Sequence, residues 1–155
     1  MKTNIPLFEL NYDSMEETAV IETLRSKWIS TGPKTKKFEE DFASMIGAKY
    51  ALATSNCTVA LHLAVILAGI SRGDEVLCPS LTFAATVNSI KYVGAKPVFV
   101  DIKSKKDLNI SPEDIKRKIT EKTKAIIVMH YGGFSCDMDE IKSIVSDNGL
   151  MLIED

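Results

Sequence analysis

Five short apolar runs, separated by stretches with helical spacing, set what this chain can become. The runs lie at 51–53, 75–78, 97–100, 125–128 and 150–153. Helical patterning fills the intervals at 58–68, 82–93, 112–119 and 137–147, after two earlier helices expected at 14–27 and 34–46. Strand alternating with helix predicts an α/β fold with a mostly parallel sheet and helices on both faces. Near-continuous apolar strands fit a sheet covered on both sides. Local signals set several boundaries. Ser14 reads as an N-cap with Glu17 completing a capping box, Gly47 ends the second helix, and Pro112 after Ser111 opens another. An apolar strand at 150–153 with only Glu154 and Asp155 behind it reads as an unfinished α/β domain, because a covering helix would normally follow.

Composition narrows the function classes. The 155 residues form one domain's length, 1–155, and a 45% hydrophobic, 26% charged chain has the balance of a soluble globular protein. A net charge of −2 leaves no basic footprint for nucleic acid. No apolar run reaches membrane-spanning length, and the first six residues lack an apolar signal core, so a cytoplasmic protein is expected. Cys57, Cys78 and Cys136 are odd in number and lack metal-ligand spacing, so neither a disulfide framework nor a metal site is expected.

The chemistry gathers where strands end. Thr54-Ser55-Asn56-Cys57-Thr58 is a loop of small polar residues between an apolar run and an apolar helix. Backbone N–H groups at such a helix N-terminus bind anions, and the helix dipole favours negative charge there. The alternative is that Ser55 or Thr58 merely caps the helix. Past the other strands stand Thr82 and Phe83, Asp101, His130 and Tyr131, and Glu154 and Asp155. Ligands of open α/β sheets bind along that edge. Asp101 is expected to position the loop after its strand. His130 either points into the site or is a hydrogen-bonded histidine at a strand end, and His62 reads as a helix-face residue.

These residues, taken in order, resemble the DegT/DnrJ/EryC1/StrS family of pyridoxal-phosphate (PLP)-dependent sugar aminotransferases. The resemblance rests on Trp28-Ile29-Ser30-Thr31-Gly32-Pro33, Phe38-Glu39, 54–63, Gly73-Asp74-Glu75-Val76, 79–86, 94–101, 122–127, His130-Tyr131-Gly132-Gly133 and Ile153-Glu154-Asp155. It implies the large domain of PLP fold type I, of which 1–155 would be the N-terminal, incomplete part. By the same resemblance Asp155 pairs with the pyridine nitrogen of PLP, Phe83 stacks on the ring, and Cys57 and Thr58 hold the phosphate, with Ser55 and Asn56 secondary. Cys57 stands where the family usually has Gly, which leaves the N–H available, and no partner base marks it as a nucleophile. Thr31, Gly32 and His130 are the substrate candidates.

No catalytic residue is assigned in the chain itself. The family's aldimine lysine lies beyond the Glu-Asp motif, as do the glutamine or histidine beside the cofactor and the C-terminal domain. The chain alone is therefore expected to be inactive. The implied reaction moves an amino group from an amino acid, usually glutamate, to a keto sugar carried on a nucleotide, for surface polysaccharide or glycoside synthesis, in a homodimer. Two rivals stand beside it. One is a non-catalytic or split PLP-binding module whose partner chain supplies the lysine. The other is a family variant that dehydrates the sugar, with histidine in place of the lysine. A dinucleotide-binding domain is disfavoured, since no G-x-G-x-x-G follows the first apolar run.

Overall fold

The computed structural model describes Pro6 and residues 9–155, and the chain divides into two units, the first through Ala53 and the second from Thr54 to Asp155. The first unit carries helices α1 (Ser14–Arg25) and α2 (Pro33–Ile46). The cap of α1 sits one residue earlier than expected. Asp13 accepts the Met15 N–H at 2.7 Å, and Glu16 returns to the Asp13 N–H at 2.8 Å, a capping box one step before the Ser14–Glu17 pair. Pro33 opens α2 and Gly47 closes it at φ 68°, a left-handed position where glycine carries no Cβ penalty.

Residues 51–53 do not form the expected strand. Among the described residues they have no ladder partner, and Ala-Leu-Ala lacks the β-branched side chains that favour a pleated surface. The Ala53 N–H goes instead to Glu39 Oε1 of α2 at 2.8 Å.

The second unit holds a four-stranded parallel sheet. Its strands are β1 (Glu75–Pro79), β2 (Lys96–Val100), β5 (Thr123–Val128) and β6 (Met151–Glu154), in the spatial order β2-β1-β5-β6. Its helices are α3 (Cys57–Leu67), α4 (Ala84–Tyr92), α5 (Pro112–Lys118) and α6 (Met138–Asn148). An antiparallel hairpin of β3 (Ile102–Ser104) and β4 (Asp107–Ile110) stands apart from the sheet. Sequence patterning did not predict it, because its central residues are lysines and Asp107 rather than an apolar run. Four of the five expected strands and all six expected helices form, each within two residues of its predicted bounds at either end.

Side chains alternate across the sheet as the two-residue strand period requires. Val76 and Cys78 of β1 and Ala125 and Ile127 of β5 join Leu61, Val65 and Ile90 in a core under α3 and α4. Leu77, Ile126 and Val128 face the other way, into a core with Ile115, Ile141 and Ile144 of α5 and α6. Two cores on two faces explain why these strands read as unbroken apolar runs.

The strand order also locates the ligand edge. From β1 the chain moves through α4 to β2 on one side, then returns through α5 to β5 on the other side of β1. Carboxyl ends that flank such a reversal leave a crevice, which here lies beyond β1 and β5.

One buried carboxylate ties this edge to the helix layer. Asp114, 3% exposed, accepts the Asp101 N–H at 2.8 Å, Arg117 at 2.6 Å and Lys118 at 2.8 Å. Burial pushes its pKa up, but the Asp101 N–H, Lys118 and Arg117 together outweigh this and hold it at about 2. Because the folded-state value lies below the unfolded one, the stabilisation is complete above about pH 4 and fades as pH falls through about 2. Asp114→Asn is expected to cost about 2 kcal/mol at pH 7 and almost nothing near pH 2. Urea unfolding at both pH values checks this, and equal losses at the two would contradict it. Asp101, as expected, positions its loop, taking the Ile102 N–H on Oδ1 at 2.8 Å.

Candidate functional site

The N-terminus of α3, the start of α4 and the end of β6 converge on Asp155. Its Oδ2 accepts the hydroxyl of Thr86 at 2.5 Å, and its Oδ1 accepts the Cys57 thiol at 3.6 Å. The backbone fixes the residue as well. The Asp155 N–H donates to Val128 O at 2.8 Å, and its own carbonyl accepts from the His130 N–H at 3.4 Å. Thr86 is wholly buried in α4 and pairs with Thr82 Oγ1 at 2.9 Å. Since Thr86 gives its one hydroxyl proton to Asp155, Thr82 is the donor between the two threonines. The carboxylate is thus held at both oxygens and retains lone pairs for a further donor.

Asn56, not Ser55 or Thr58, caps α3, with its Oδ1 accepting the Val59 N–H at 3.0 Å. Asn56 stands directly before the apolar run, which is the position where a cap side chain reaches the third helical N–H. Ser55 Oγ accepts a 3.3 Å bond from Asn56 Nδ2, and Thr54 Oγ1 donates to Asn56 O at 3.0 Å. The backbone N–H groups of Cys57 and Thr58 make no hydrogen bond among the described residues. Two free donors therefore sit at the positive end of an 11-residue helix, an arrangement suited to a phosphate. Lost hydration pushes the Cys57 thiol pKa up, and the Asp155 charge adds to the rise. The sulfur stays protonated and acts as a donor, in keeping with a residue that is not a nucleophile.

Phe83 precedes α4 in extended conformation, φ −73° and ψ 147°, and the residue is 76% exposed. It stands three residues before Thr86, whose N–H it accepts at 3.2 Å. A free aromatic face, two free N–H groups and an oriented carboxylate lie along one sheet edge. They fit the ring, the phosphate and the ring nitrogen of PLP respectively.

His130 is tied at both ring nitrogens. Nδ1 accepts the Cys136 N–H at 3.1 Å, so Nε2 carries the proton and donates to Glu154 Oε2 at 3.2 Å. His62 packs edge-on against Tyr92 with ring centroids 5.2 Å apart, as a helix-face residue. Thr31 and Gly32 belong to the first unit. There they line a cleft of about 960 Å³ with Val20, Leu24, Trp28 and Lys34. The Trp28 indole donates to Thr31 O at 3.2 Å, and a Cβ on Gly32 would meet its Nε1 at 2.3 Å, so glycine permits that close approach.

Sequence reasoning left Thr86 without a role, although it lies within a matched segment. It also overlooked Asn109 of β4. The signal in that case was a lone amide between two apolar strand residues, Leu108 and Ile110.

A doubly covered parallel sheet with these groups on its carboxyl edge is the scaffold of PLP fold type I. The chain belongs to the DegT/DnrJ/EryC1/StrS aminotransferase family, whose model matches residues 11–155. It is 48% identical over 136 residues to the spore coat polysaccharide biosynthesis protein SpsC of Bacillus subtilis, covering 88% of this chain and 35% of that protein. It is 46% identical over 152 residues to a GDP-perosamine synthase of Escherichia coli O157:H7, covering 97% of this chain and 42% of that one. A solved GDP-4-keto-6-deoxymannose-3-dehydratase with a trapped PLP-glutamate geminal diamine superposes with a TM-score of 0.88 at 31% identity, over 97% of this chain and 40% of that one. The chain thus spans about two fifths of the length of the relatives it matches. Among the described residues no helix is long and apolar enough to cross a membrane.

Proposed function

We propose that the whole protein to which this chain belongs is a PLP-dependent aminotransferase. It moves the amino group of an amino acid, glutamate by preference, to a keto sugar linked to a nucleotide. The observation that carries this reading is the Asp155 carboxylate, held by Thr86 and Cys57 beside the two free N–H groups of α3. PLP, when bound, supplies an electron sink for the substrate carbanion. This chain's residues do the holding. Cys57 and Thr58 N–H groups bind the phosphate, Phe83 fixes the plane of the ring, and Asp155 keeps a proton on the ring nitrogen. Residues 1–155 form the N-terminal part of the large domain. The amine that links the cofactor comes from outside them, and the chain alone is inactive.

The relatives support the substrate class, since one is named for a GDP-linked amino sugar and another for spore coat polysaccharide. A homodimer in the cytoplasm completes the reading, and the three cysteines, free thiols in the structure, are compatible with a reducing compartment. Dehydration is the second reading, favoured by the likeness to the GDP-sugar dehydratase.

The test incubates the whole protein with PLP, 15N-glutamate and a GDP-linked 4-keto-6-deoxy sugar. Mass spectrometry showing 15N in the sugar supports amino transfer. Loss of a sugar oxygen without nitrogen gain replaces it with dehydration. Phe83→Ala is expected to weaken PLP binding by about tenfold, the size of a lost aromatic stacking contact. An unchanged affinity in a PLP titration would remove Phe83 from the site.

A further inference from the structure

The segment that follows β5, from His130 to Cys136, begins beside Asp155 and contains a short 3-10 turn at Tyr131–Gly133. Its own backbone does little to fix it. Gly132 and Gly133 are adjacent and both left-handed, at φ 62° and 84°, and such a pair has wide conformational freedom. The constraint comes from a different strand. Asn109 of β4, 5% exposed, donates from Nδ2 to Phe134 O at 3.2 Å and to Ser135 O at 3.1 Å. Its Oδ1 accepts the Tyr131 N–H at 3.0 Å. One buried carboxamide therefore binds both ends of the turn, using both its donors and its acceptor. The His130 ring closes the same segment from its other side, through the Cys136 N–H.

We propose that Asn109 is a positioning residue for the substrate side of the site. It rests on the aminotransferase reading above. The hairpin that looked like an accessory to the sheet has a task here: it carries the latch that sets the His130–Cys136 segment at the carboxyl edge. Asn109 touches neither Asp155 nor the free N–H groups of α3, so PLP binding does not depend on it. The segment starts at His130, whose N–H meets Asp155 O at 3.4 Å, and Tyr131 and Phe134 within it are exposed, so the proposal sets the substrate against this turn.

The experiment uses the whole, PLP-loaded protein and two variants. Asn109→Ala empties the latch. Gly133→Ala strains the turn from its exposed side, where a Cβ meets nothing within 4 Å but φ is 84°, so it leaves the buried position intact. Two readouts are taken. Amide hydrogen exchange across 131–135 is expected to speed up in Asn109→Ala, and an unchanged rate overturns the latch. The KM for the keto sugar is expected to rise roughly tenfold in both variants, as for a lost buried hydrogen-bond set, with PLP affinity unchanged. Faster exchange with an unchanged KM overturns the substrate role. So does a parallel loss of PLP affinity, which marks general destabilisation. If the wild-type protein turns over no keto sugar, the aminotransferase reading fails and the substrate role falls with it, while exchange still decides the latch.

Discussion

Asp155→Asn in the whole protein is expected to lower turnover by roughly two to three orders of magnitude, the scale of removing one preorganised electrostatic partner from a reacting centre. The substitution keeps the shape, and the amide can still meet Thr86 and Cys57, so folding should be spared. What it removes is the negative charge that keeps a proton on the ring nitrogen. Without that proton the ring withdraws electrons poorly. The loss therefore appears in kcat, with the KM for the sugar little changed. Steady-state kinetics of the two proteins checks it. A variant within a fewfold of wild type would mean that the carboxylate is only a structural tie between α4 and β6.

Leu77→Ala is expected to destabilise the protein by about 3–4 kcal/mol, within the range for emptying a large buried side chain. Leu77 is fully buried in β1, a central strand, in the core that also holds Val100, Ile110, Ile115, Ile126 and Val128. The strand is paired on both sides, with Leu77 opposite Val98 of β2 and Ile126 of β5. The backbone is thus poorly placed to collapse into the hole. Denaturant unfolding of the two proteins provides the measurement, and a loss under 1 kcal/mol would show that the core relaxes around the gap.

The sheet was legible because its strands obey a simple rule. Residues 76–78 and 125–128 bury alternate side chains in two separate cores, and the sequence records this as unbroken apolarity. Helix starts were legible where a side chain does the capping, as at Ser111, whose Oγ accepts the Asp114 N–H at 3.3 Å. They slipped by a residue where neighbouring polar groups compete for the role. Asp13 wins over Ser14, and Asn56 over Ser55 and Thr58. The failure at 51–53 has another origin, since a strand exists only with a neighbour, and pairing is not a local property. The β3–β4 hairpin was hidden because solvated lysines carry no burial signal.

Of the proposed site, Asp155, Phe83, Cys57 and Thr58 came from the resemblance and from their places after strands or at a helix start. Thr86 and Asn109 were not. They act through contacts 69 and 22–26 residues away in sequence, and the one local trace, the lone amide of Asn109 between Leu108 and Ile110, does not by itself set it apart from an ordinary core-facing polar residue.

The position of PLP decides most directly whether these residues form its site. A crystal structure of the whole protein with PLP bound is the measurement. The prediction is the phosphate within about 2.7–3.2 Å of the Cys57 and Thr58 N–H groups, the ring on Phe83, and the ring nitrogen on Asp155. PLP bound elsewhere, or bound there with its nitrogen turned away from Asp155, would contradict it.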